Sequence, residues 1–240
     1  MMKRSVSVPF WPLLPGLALL DLVLVGVILV QAPLLRSAPY LSTALFTILL
    51  LLFYGGVGVG LPQFVRSTSV KNVLWQATRI GLLIGLFFVV DIAVEYFVDL
   101  NQAASLLSTF GFMGLIFLAF AGAGVLGTRL TGHWLLGVLC SIWSAILAVL
   151  IALMFGMMVN VLFLQRLEVI SAADYAKSGM HDPAASAFLS TLDNASTHLF
   201  EAPMYAAIFG TLGALIFMVF FTQRKASKRQ KEETREGAQG

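Results

Sequence analysis

The chain has 240 residues, of which 59% are hydrophobic and only 11% charged, with a formal net charge of +3. Soluble domains carry about a quarter charged residues, so this composition excludes an ordinary water-soluble fold and makes lipid the outer solvent. The excess charge sits where membrane topology places it, so no nucleic-acid partner is expected. The single cysteine, Cys140, excludes an internal disulfide and a CxxC site.

Six apolar stretches follow one another. Lys3 and Arg4 precede a run from Leu13 to Val30, longer than the ~7–15 residues of a cleavable signal core, so the first span is read as retained. Span one covers Trp11 to Leu35 and is broken only by Asp21. Span two covers Tyr40 to Val65. Span three, Val73 to Val98, has Arg79 near its start and Asp91 and Glu95 near its end. Spans four, Ser105 to Gly127, and five, Trp134 to Gln165, carry no charge. Span six is read from Pro203 to Thr222. Backbone polar groups in lipid must be satisfied within the segment, so these are helices. The period-two alternation of a barrel is absent.

The expected fold is therefore an all-α integral membrane protein. Residues 1–223 form one bundle of six transmembrane helices, and 224–240 form a disordered, charged tail. The outer loop, 166–202, is the one sizeable region outside lipid and holds a short helical extracytoplasmic segment. Within it, Ser171 to Ser178 reads as a short helix ended by Gly179. Asp182-Pro183 reads as an N-cap followed by proline at the first helical position. Phe188, Leu189 and Leu192 give that second helix an apolar face, and Asn194-Ala195-Ser196 fits a glycosylation sequon.

Lys and Arg placement sets the orientation. Lys3, Arg4, Arg66, Lys71, Arg79, Arg129 and the six basic residues from Arg224 to Arg235 fall on one side. Arg36, Arg166 and Lys177 fall on the other. Both termini are thus expected in the cytoplasm, with the chain in the plasma (inner) membrane. Trp11, Trp75 and Trp134 would mark the inner interface, and Tyr40, Tyr96 and Tyr205 the outer one. Trp134 to Gln165 would reach about 48 Å as one helix, so span five should tilt, project or bend, with Gly156 as a bend point.

Small residues recur at helix-packing spacing. Gly56 and Gly60 form a GxxxG pair in span two. Gly81 and Gly85 repeat that spacing in span three, and Ala119, Ala123 and Gly127 stack in span four. Each stripe is expected to face a neighbouring helix.

Ionisable groups inside a span are costly and mark candidate sites. Asp21 lies in span one. Asp91 and Glu95 share a face of span three. Asn160, His198 and Glu201 complete an outer polar set that could ligate a cation or relay protons. Met154, Met157, Met158 and the pair Met180-His181 would add ligands suited to copper(I). No GxSxG or HExxH pattern occurs, and the sequence identifies neither a metal nor a cofactor. The expected role is a non-catalytic scaffold or accessory subunit of a membrane complex. Its partners would be the bilayer and a membrane protein or a second copy. The alternatives are a small cation, metal or proton transporter using Asp91 and Glu95, and a membrane enzyme with an outward site near His198 and Glu201.

Overall fold

The computed structural model describes residues 12–65, 67–98, 102–170 and 172–237. Lys3, Arg4, Trp11, Arg66 and Asp99 lie outside them. The described residues form helices and no strands. They are α1 (Leu13–Gln31), a 3-10 turn (Pro33–Arg36), α2 (Ala38–Phe64), α3 (Thr68–Phe97), α4 (Gln102–Thr131), α5 (Trp134–Leu162), α6 (Leu164–Ile170), α7 (Ala172–Ser178) and α8 (Pro183–Gly237). Six of them, α1 to α5 and α8, are long and apolar enough to span a membrane. The chain is an integral membrane protein by that criterion.

The bundle is organised around α5. In its most apolar window 61% of residues are buried, against 17–33% in the other five helices, so α5 is the central helix. From Trp143 to Leu150 every residue of α5 is buried, whichever way it points. Helices α1, α3, α4 and α8 pack against it, and α2 is carried by α1 and α8. A helix apolar on all sides belongs in such a centre.

Contacts give the directions. Residues of α3 meet residues of α5 at offsets of 64 to 67 along their length, so the two run parallel. Ser141 meets Ala206 while Asn160 meets Thr191, so α8 runs antiparallel to α5. Thr47 and Tyr54 of α2 both reach α8 residues 145 further on, so α2 and α8 are parallel. One end of the bundle holds Lys71 and Arg129 and is called the basic end below; Arg36 and Arg166 lie at the opposite end.

Span six begins earlier than its hydropathy suggests. Asp182 caps α8 by accepting the Ala185 amide at 3.1 Å, and Pro183 takes the first helical position. Ala185, Phe188, Leu192, Ala195 and Leu199 form a buried stripe, so residues 183–202 extend span six along α2 and α5. The sequon falls inside this helix with Ser196 buried, which does not suit an exposed acceptor loop. Pro203 is inside the helix and not at its start. Helix α8 also continues to Gly237, through the segment read as a disordered tail. Gly179, at φ +69°, does end α7 as expected. Helix α5 passes through Gly156 unbroken and stops at Leu162.

Glycine contacts set how closely the helices approach. A Cβ added at Gly58 would lie 2.7 Å from Leu14 Cδ2 and 2.8 Å from Pro15 Cδ. One at Gly55 would lie 3.6 Å from the Ala18 Cβ. The face of α2 against α1 is therefore Gly55/Gly58. The expected pair, Gly56 and Gly60, is not that face: Gly56 has open space around it, and Gly60 has only Phe64 of its own helix at 4.0 Å. A Cβ at Gly81 would lie 2.7 Å from the Ser144 carbonyl oxygen, and one at Gly85 2.7 Å from Ile151 Cδ1. In α4, Ala123 is buried, Ala119 packs on the Phe120 cluster, and a Cβ at Gly127 would lie 2.8 Å from the Gly137 Cα. Gly124 and Gly210 approach so closely that a Cβ on Gly124 would overlap the Gly210 backbone.

Candidate functional site

Hydroxyl and amide groups tie the helices together. Ser141 Oγ lies 3.0 Å from the Phe120 carbonyl and 2.8 Å from that of Ala206, joining α5 to α4 and α8. Ser144 Oγ lies 2.9 Å from the Ala77 carbonyl of α3. Trp143 Nε1 donates to Thr78 Oγ1 at 3.1 Å. Such bonds act as glue where helices gain no hydrophobic drive over lipid.

The most specific of these bonds involves a proline. Proline has no N–H, so Pro203 leaves the carbonyl four residues earlier, on Leu199, without its helical partner. The Tyr54 hydroxyl donates to that carbonyl at 2.6 Å. A broken helical bond inside a membrane bundle is thereby replaced from a neighbouring helix. Sequence alone does not single out Tyr54; the signal for it is a proline within an apolar run and a tyrosine in the middle of a preceding span.

A second polar chain lies at the end opposite the basic one. Tyr96 Oη donates to Asn160 Oδ1. Asn160 Nδ2 donates to Thr191 Oγ1 at 2.8 Å, and Thr191 Oγ1 donates to the Ala187 carbonyl at 3.0 Å. Arg166 Nε donates to the Tyr96 carbonyl at 2.9 Å. The chain links α3, α5, α6 and α8. Of the sequence candidates it contains Asn160.

The other candidates are dispersed. Asp91 is half-buried on α3 and Glu95, one turn on, is exposed. His198 is exposed and Glu201 half-buried on α8, away from its Ala195/Leu199 face. Among the described residues no three His, Cys, Asp or Glu side chains gather as a metal group. Met157 is fully buried while Met158 is turned outward, so the methionines of α5 do not converge on one face. Arg36 donates to the Leu29 carbonyl at 2.8 Å. Tyr205 is not at the end that holds Arg36 and Arg166: it packs 5.5 Å from Phe117, beside the Ala206 that meets Ser141 near the start of α5. At the basic end the Arg79 guanidinium lies 5.2 Å over Trp75.

Asp21 stands apart. It lies on the buried seam of α1 with Leu14, Leu17, Ala18, Val25 and Ile28. Its exposure is 0%, and neither carboxyl oxygen has a hydrogen-bond partner. Two hollows run between α3 and α4, with Phe87 and Leu115 in both, Ile84 and Ala119 toward one end and Val94 and Ala104 toward the other. Their linings are almost wholly apolar. Comparison with family models, curated proteins and solved structures finds no match to this chain.

Proposed function

We propose that the chain is a non-catalytic scaffold or accessory subunit of a membrane complex. It lies in the plasma (inner) membrane with both termini cytoplasmic, the basic end of the bundle facing the cytoplasm. One observation carries the reading: apart from Asp21, the interior polar groups that reach beyond their own helix fasten one helix to another. Ser141, Ser144, Thr78, Trp143 and Tyr54 each bond a neighbouring helix, and glycine contacts close the space between them. A conducting path needs polar groups left for the permeant ion. An open side of α4 supports the same reading, since Gly114 and Gly122 have open space where a Cβ would stand. A second membrane helix can approach closely along such a face.

Native mass spectrometry of the full chain, released from its own membrane into nanodiscs, tests this. A fixed-ratio complex with another membrane protein or with a second copy is expected. A chain that is solely monomeric under those conditions would overturn the proposal.

A further inference from the structure

Among the described residues, Asp21 is the one buried side chain whose oxygens lack partners. Its neighbours along the α1 seam are Leu17, Ala18 and Val25. The elements that pack most closely on α1 are α2, α5 and the 3-10 turn. The buried titratable side chains they contribute are Tyr54 and Cys140. The Tyr54 hydroxyl is committed to Leu199, and Cys140 Sγ lies 4.0 Å from the Val73 carbonyl. The basic residue of the turn, Arg36, is exposed and bonded to the Leu29 carbonyl. No cation is thus directed at Asp21 from these elements. An isolated carboxylate in such a place is among the most costly groups a protein can bury, whereas the neutral acid is not.

We infer that Asp21 is a proton-binding site, carried as a neutral carboxylic acid inside the folded bundle. The ligand is a single proton, taken up as α1 packs against α2 and α5. The inference is independent of the scaffold reading, because a neutral acid can sit in a scaffold or in a transporter.

Infrared spectroscopy of the full chain in lipid bilayers tests it. The protein is labelled with ¹³C at aspartate side-chain carboxyls. A C=O band of a neutral carboxylic acid is expected to shift with the label and to vanish in Asp21→Asn. Should Asp21→Asn fail to insert, Asp21→Glu serves: the neutral-acid band should remain but lose its sensitivity to aspartate label. Carboxylate bands alone in the wild-type chain, or a neutral-acid band untouched by either substitution, would overturn the inference. So would a sodium-dependent carboxylate band, which would mean a bound cation.

Discussion

The Tyr54 hydroxyl lies 2.6 Å from the Leu199 carbonyl oxygen, at the point where Pro203 withholds the amide that would otherwise bond it. The pair explains how a proline is accommodated inside a 55-residue helix, and it pins α8 to α2. Hydrogen bonds between membrane helices average about 0.6 kcal/mol and reach about 1.7. Tyr54→Phe should therefore lower unfolding stability by about 1 kcal/mol. Pro203→Ala restores the amide, so Tyr54→Phe should cost less in that background. A double-mutant cycle by thermal denaturation in detergent measures the difference, and equal costs in both backgrounds would separate Tyr54 from Pro203.

The glycines divide into those that meet a neighbour and those that do not. Gly124→Leu should be severely destabilising, because even a Cβ there overlaps the Gly210 backbone. Gly85→Leu should follow, at 2.7 Å from Ile151 Cδ1. Gly56→Leu should leave the isolated chain close to wild type, since nothing lies within 4 Å. Melting temperatures of the three variants check the order. A Gly56→Leu loss as large as that of Gly124→Leu would contradict the assigned faces.

The chain Tyr96–Asn160–Thr191 holds the first turns of α8 to α5 and α3. Asn160→Leu removes both bonds while filling similar space. It should speed amide hydrogen exchange in residues 183–195 with little change in α4, because local opening follows loss of local contacts. Exchange mass spectrometry in nanodiscs reads this directly. Unchanged protection in that segment would mean the apolar stripe alone fixes it.

Much of the architecture could be read from residue order. The limits of α2 to α5 lie within a few residues of the expected spans, because hydrophobicity over ~20 residues is what lipid selects. The start of α8 could not be read that way. Asp193, Asn194, Thr197 and His198 lower the mean hydropathy, yet all four point outward while Phe188, Leu192 and Leu199 fill the core. Pro203 reinforced the error, since proline reads as a helix start when the hydroxyl that compensates it lies in another span. The Gly55–Gly60 run offered several overlapping packing faces, and only the position of α1 selects Gly55 and Gly58. Among the candidate site residues, Asp21 was visible as a charge in a span. Its lack of any partner required the packing around it.

The central claim is that the interior fastens helices and does not pass ions, and flux through the full chain reconstituted in sealed liposomes tests it most directly. With proton- and cation-sensitive dyes inside, gradients should decay no faster than in protein-free vesicles, for wild type and Asp91→Asn alike. A proton or cation flux in wild type that Asp91→Asn or Glu95→Gln abolishes would contradict the scaffold reading and favour a transporter.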